Sequence, residues 1–172
     1  MFVRTAIIVL LLQAALPAKA ATLKGVILAS AQHRVADAQR SYEEALETER
    51  KLVEKNSEYY LPDLAVTLNN LGMLQRDQHQ LQNAQKSFEE ALNTYHKLAE
   101  KNPETDLPNV ALALNNLGLV QSDQHRLAEA EKSYEEALRT YRKLAQDNPD
   151  TYRPNLALTL SNLGDLPGKQ EP

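Results

Sequence analysis

One short motif returns at a fixed interval, and that interval restricts the fold more than any other feature of the chain. LNNLG occupies residues 68–72 and 114–118, and LSNLG occupies 160–164. A second motif runs SYEEAL at 41–46, SFEEAL at 87–92 and SYEEAL at 133–138. Each copy lies 46 residues from the next, as Leu68, Leu114 and Leu160 illustrate. A period of this length marks a stacked array, in which each unit is too small to cover its own apolar face and leans on its neighbours. Two full units, 61–102 and 107–148, carry partial copies on either side.

Within each unit the apolar spacing is helical. Ala65, Leu68, Leu71, Gly72 and Leu74 mark a first helix, expected from Pro62 to about Asp77. Leu81, Ala84, Phe88, Ala91, Tyr95 and Leu98 fall at steps of three and four, which lines them up on one face of a second helix. The next copy repeats that stripe with Leu127, Ala130, Tyr134, Ala137, Tyr141 and Leu144. Upstream, residues 34–55 form a helix of the second type, with Glu49 where later copies have Tyr95 and Tyr141. Pro62, Pro108 and Pro154 recur one period apart, and Pro is well placed in a first turn, so they are expected to open the first helices. Residues 78–80 are a short turn, Lys101-Asn102-Pro103 stops the second helix, and Asn148-Pro149 does so in the next copy. Mid-helix Gly costs about 1 kcal/mol against Ala, so Gly72 and Gly118 at one phase point to close approach of a neighbouring helix. The expected architecture is all-α, a solenoid of antiparallel helix pairs over residues 34–166.

The ends differ from the repeats. Residues 1–20 read as a secretory signal: Arg4 supplies a positive start, residues 5–16 are uncharged and mostly apolar, Pro17 breaks the run, and Ala18-Lys19-Ala20 is an A-x-A cleavage pattern. The apolar run is shorter than the roughly 20 residues that span a bilayer. Cleavage after Ala20, and a secreted or periplasmic location with no membrane span remaining, are therefore expected. Residues 21–33 are expected to be a partial helix or cap. Val26 stands there at the phase of Gly72, so the pattern has drifted. Residues 167–172 are a polar tail, expected to be disordered.

Charge and composition narrow the function. Residues 1–20 hold Arg4 and Lys19 and no acid, so the remainder carries 17 bases against 23 acids, a net −6. Nucleic-acid surfaces need a basic stripe, so no nucleic-acid partner is expected. The chain has no cysteine, which removes thiolate chemistry and a lipoprotein anchor. It has no phosphate-cradling Gly loop, HExxH or calcium-loop pattern, and no cofactor or metal is expected. His33, His79 and His125 share one phase at the helix-to-helix turn. Helices pack about 8–10 Å apart whereas zinc ligands lie about 2 Å from their ion, so these histidines read as turn or cap residues. The paired acids Glu43-Glu44, Glu89-Glu90 and Glu135-Glu136 point about 100° apart on a helix and read as a solvated face, not a catalytic pair. No catalytic residue is assigned.

Leu, Gly, Ala, aromatic and Ala at these intervals resemble the tetratricopeptide repeat. The roles fall on Leu68, Leu71, Gly72, Ala84, Phe88 and Ala91, then on Leu114, Leu117, Gly118, Ala130, Tyr134 and Ala137. The LNNLG core and the long unit look most like the variant found in kinesin light chains and many bacterial repeat proteins. Two positions depart from the family pattern. Its usual Tyr late in the first helix is Gln75 and Gln121 here, and its usual Pro at the unit's end is displaced. The resemblance implies a right-handed superhelix whose first helices line a concave groove, and a protein or peptide partner in that groove. The implied groove residues are Val66, Asn69, Asn70, Met73 and Arg76 in the first full unit. They are Leu112, Asn115, Asn116, Leu119 and Ser122 in the second, and Leu158, Ser161, Asn162 and Asp165 in the last. An Asn amide offers donors and an acceptor, so these residues suit either a ligand's backbone or a ladder to the neighbouring repeat. Arg76 is the only base among them, which favours a neutral extended peptide or a helix over an acidic chain end. A second expectation is self-association through the open ends of a short array.

Overall fold

The computed structural model describes residues 33–167. The expected signal at 1–20, the expected cap at 21–33 save its last residue, and the expected tail beyond Pro167 lie outside the described residues. The chain divides into two compact units, Met1–Arg40 and Ser41–Pro172. In the first, His33 and Arg40 flank Asp37 at 3.5 and 3.8 Å on an exposed helical surface. His33 is therefore helical and does not share the turn geometry of His79 and His125.

The second unit is a run of helices, and no strand occurs among the described residues. α1 covers residues 33–55, of which 41–55 belong to this unit. It is followed by α2 (Ser57–Asp77), α3 (Leu81–Lys101), α4 (Pro103–Asp123), α5 (Leu127–Asp147) and α6 (Pro149–Gly164). From α2 to α6 each helix packs on the next in sequence, and α2 also touches α4. This is the all-α solenoid of helix pairs that the periodicity implied.

Two kinds of joint alternate. Inside a pair, the first helix ends on a left-handed residue, His79 at φ 58° and His125 at φ 60°. The His79 N–H donates to the Arg76 carbonyl at 2.9 Å and the Gln80 N–H to the Gln75 carbonyl at 2.8 Å. His125 and Arg126 repeat both bonds, to Ser122 and Gln121. That is the Schellman pattern, which satisfies the last carbonyls of a helix and reverses the chain. Between pairs the joint is a single Asn: Asn56, Asn102 or Asn148. Its N–H closes the preceding helix, as in Asn102 to Leu98 at 2.9 Å, and its carbonyl opens the next. The side chains of Asn56 and Asn148 also accept from Tyr59 and Thr151 N–H, both at 3.2 Å, the usual service of an N-cap Asn.

The first helices therefore begin at Ser57, Pro103 and Pro149, five residues before the expected start at Pro62, Pro108 and Pro154. The later prolines are helical, each at the sixth position. A proline there removes only one backbone bond, to a carbonyl in the exposed first turn, and the Asn joint makes a longer helix compatible with it. Pro103 and Pro149, expected as stops, occupy the first helical position instead, where the missing N–H is not needed.

The core lies between successive helices. Leu68, Ala91, Tyr95, Leu98, Val110 and Leu114 are buried together, with Leu46 of α1 joining from one side. Phe88 and Tyr134 are the knobs of the two complete pairs, exposing 0% and 1% of their surface. They lie directly on the glycines. A Cβ added at Gly72 would sit 2.8 Å from Phe88 Cε1, and one at Gly118 would sit 2.6 Å from Tyr134 Cε1. Close approach of a neighbouring helix is thus the reason for the phased glycines, and the neighbour is the second helix of the same pair.

Candidate functional site

α2, α4 and α6 present equivalent residues on one surface, because one period separates each from the next. Val66, Leu112 and Leu158 form its outer row, exposed by 49, 36 and 57%. Asn70, Ser161 and Asp165 are also exposed, and Met73, Leu119, Ser122, Arg76 and Asn162 are half-buried. Below this row lie Asn69, Asn115 and Asn116, all buried. The fourteen residues expected in the groove thus fall at two depths.

The deeper layer is a hydrogen-bonded ladder. The Asn116 amide donates to Asn69 Oδ1 at 3.0 Å, and the Asn162 amide donates to Asn115 Oδ1 at 2.9 Å. Each rung joins the Asn at the second position of one motif to the Asn at the third position of the next. Buried amides need partners, and here the adjacent repeat supplies them. Of the two roles open to these side chains in the sequence, the geometry displays the ladder. Arg76 adds a second cross-link between α2 and α4, with Nε 2.6 Å from Asp123 Oδ2. Its charge is matched within the surface, which leaves the exposed row apolar and uncharged.

A further buried pair had no counterpart in the sequence expectations. Ser87 Oγ donates to Gln75 Oε1 at 2.8 Å, and Ser133 Oγ donates to Gln121 Oε1 at 2.7 Å. Gln75 and Gln121 are positions at which the sequence departs from the repeat pattern it resembles. The signal was present: Gln and Ser recur together, in phase, twelve residues apart in both units. The bond ties the first helix to the second near the turn and satisfies two polar groups that would otherwise be buried without partners.

Behind the surface, the buried tyrosines are held neutral. Burial pushes the Tyr95 phenol up to about 12, with the Asp106 carboxylate adding to the effect. Burial does the same for Tyr134, also to about 12, opposed by Arg76 and helped by Asp123 and Asp165. Tyr141 is raised by burial too, although its hydroxyl accepts from the Asn155 amide at 3.3 Å.

Open hollows flank the helix ends. Arg76, His79, Ser122, Asp123 and His125 line one of about 710 Å³ at the turn end. Leu107, Thr140 and Leu144, ringed by Glu104, Arg139 and Asp147, line another of about 470 Å³ at the joint end. Among the described residues no group of three or more His, Asp or Glu is placed to hold a metal ion, and no helix is long and apolar enough to cross a membrane.

Comparison with known proteins agrees with the geometry. The tetratricopeptide repeat family model matches residues 63–143. Among solved structures, the chain is similar to BtubC (BKLC) from P. vanneervenii, with a TM-score of 0.60 and 26% identity. The match covers 77% of this chain and 48% of that one, so the chain spans about half the length of that protein. A search of the curated proteins gives no match.

Proposed function

Because the chain carries tetratricopeptide repeats, we propose that it is an exported, non-enzymatic scaffold that binds a protein segment on the surface formed by α2, α4 and α6. Repeats of this kind serve protein–protein interaction, which supports the general role. The observation that carries the specific reading is the row Val66, Leu112 and Leu158. Three apolar side chains stand exposed at equivalent places, above a polar ladder that is already satisfied. Such a row offers evenly spaced contacts for the apolar side chains of an extended peptide or of a helix laid across the repeats. Asn70, Ser122 and Ser161 sit on the same surface and supply donors and acceptors for the segment's polar groups. With Arg76 bound to Asp123, nothing in the row selects for an acidic chain end, and a neutral, apolar segment is the fitting occupant.

Export rests on the character of residues 1–20. N-terminal sequencing of the protein recovered from its own host is expected to begin at Ala21; a start at Met1 would remove the export half of the reading.

The groove is tested with peptides selected from a random display library against the immobilised full chain. Binding is then measured by calorimetry on the wild type and on the combined variant Val66→Asp, Leu112→Asp, Leu158→Asp. These side chains are exposed, so the fold is expected to survive, as circular dichroism will show. Selected peptides should be rich in Leu, Met or aromatic residues and should lose at least tenfold in affinity, a modest expectation for three apolar contacts. Peptides that bind the variant undiminished would place the site elsewhere.

A further inference from the structure

The two complete helix pairs share a device: an aromatic knob on the second helix sits on a glycine notch in the first. Phe88 sits on Gly72, and Tyr134 sits on Gly118, sixteen residues earlier in each case. Gly164 of α6 is the third notch in the series. A Cβ added there meets nothing within 4 Å. The side chains around it are uncovered in the same way. Ala65 and Leu68 of α2 are 0 and 2% exposed, and Ala111 and Leu114 of α4 are 0 and 4% exposed, whereas Leu160 of α6 is 44% exposed and Ala157 is exposed. The α6 surface that faces α5 is closed by comparison, with Thr159 and Leu166 buried. Among the described residues, α6 thus keeps the socket of a complete pair with no ring seated in it.

The opposite mismatch stands in α1. Its SYEEAL motif carries Tyr42 at the knob position, with Ala38 and Ala45 where Phe88 has Ala84 and Ala91. Sixteen residues before Tyr42 the sequence has Val26, not Gly. At Gly72 even a single Cβ would crowd the ring at 2.8 Å, and Val adds two further carbons to that Cβ. At the spacing used for Gly72 and Gly118, the residue opposite Tyr42 in the sequence is thus a Val and not a notch-forming Gly. In keeping with this, Tyr42 and Ala45 are only half-buried, whereas Phe88, Tyr134, Ala91 and Ala137 expose at most 1%.

We propose that α6 of one copy takes α1 of a second copy, Tyr42 seating on Gly164, so that a helix pair is completed between chains. The occupant is set by fit: a helix bearing an aromatic with Ala four residues before and three after, which is the pattern this socket receives at Gly72 and Gly118. The contact is heterologous, socket to knob, and each copy carries one of each. Association of this kind continues from copy to copy instead of closing into a symmetric dimer. One helix pair is a small interface, so the assembly belongs to the weak class and grows with concentration. This surface is distinct from the Val66, Leu112 and Leu158 row, and peptide binding there is independent of it.

Sedimentation velocity on the full chain over a wide concentration range is the test. The wild type is expected to show a concentration-dependent series of species. Gly164→Leu fills the notch at an exposed position with no neighbour to displace, so it should keep the fold while shifting association at least tenfold towards monomer. Tyr42→Ala removes the knob and should do the same. Mixed together, the two variants have one intact socket and one intact knob between them, and should form a 1:1 heterodimer that neither forms alone. A wild type that stays monomeric throughout would overturn the proposal. So would association that Gly164→Leu leaves unchanged, as contact through the apolar stretch at 5–16 would be, or a mixture that stays monomeric. If Tyr42→Ala fails to fold, the Gly164→Leu comparison decides alone.

Discussion

Substituting alanine at each of the three phased glycines separates helix propensity from packing within one molecule. Ala is better than Gly in a helix interior by about 1 kcal/mol. At Gly164 nothing lies within 4 Å of the new Cβ, so that gain should appear nearly whole, reduced somewhat because the residue closes α6. At Gly118 the new Cβ would lie 2.6, 2.7 and 3.0 Å from three Tyr134 ring atoms. Carbon atoms prefer roughly 3.5–4.0 Å, so the ring must retreat by about 1 Å. It has little room: Tyr134 is 1% exposed and is buried with Ala130 and Leu166. Overpacking of this sort costs about 1–3 kcal/mol, and after the propensity gain the net loss should be about 1–2 kcal/mol. Gly72→Ala should behave likewise, somewhat less severely, since its nearest ring atom is at 2.8 Å. Urea unfolding followed by far-ultraviolet circular dichroism measures the series, at low protein concentration so that self-association does not add to apparent stability. The expected order is Gly164→Ala above wild type, then Gly72→Ala and Gly118→Ala below it. If Gly118→Ala matched Gly164→Ala, the knob-on-notch account of the fold would be refuted, and the socket proposed at α6 would lose its template.

Three other outcomes follow from particular residues. Asn116→Ala leaves the Asn69 carbonyl buried without its donor and should cost about 1–3 kcal/mol in urea unfolding, whereas Asn70→Ala, on the exposed layer, should fall within about 0.5 kcal/mol of wild type. His79→Gly relieves a side chain held at φ 58°, a conformation that costs L-residues about 1–2 kcal/mol; Gly's greater freedom when unfolded offsets part of this, so a melting temperature raised by a few degrees is expected and a lowered one would contradict the reading. Tyr95 and Tyr134 have folded pKa values of about 12 against an ordinary value of 10, so the stability they lend is fully present below about pH 10 and is lost as pH rises towards 12. Melting temperature should hold on the alkaline side up to about 10 and then fall, with tyrosinate absorbance from these rings appearing together with unfolding.

The repeat period, the helix pairs and the turns between them were legible in the sequence because they follow from short-range spacing. So was the meaning of Gly72 and Gly118, since a helical glycine retained at one phase calls for a close neighbour. Helix starts were less legible. Pro62, Pro108 and Pro154 looked like openings because proline suits a first turn, but a lone Asn joint lets the helix begin five residues earlier. Two readings of the groove asparagines stood level in the sequence, because an amide bonds a ligand backbone and a neighbouring amide with the same groups. Arg76 stood out as the one base among the groove positions, and its pairing with Asp123 was not legible because the two are 47 residues apart.

What sequence alone determined, then, is what a helix carries on each of its sides and how often that arrangement returns. The tertiary structure decided which of those sides meet. Asn69 lies within hydrogen-bond reach of Asn116, Arg76 within reach of Asp123, and Phe88 and Tyr134 rest on their glycines, whereas Gly164 has no ring upon it. The physical reason is range: helical periodicity is set by bonds four residues apart, while pairing between repeats depends on the separation and tilt of whole helices, which packing alone determines.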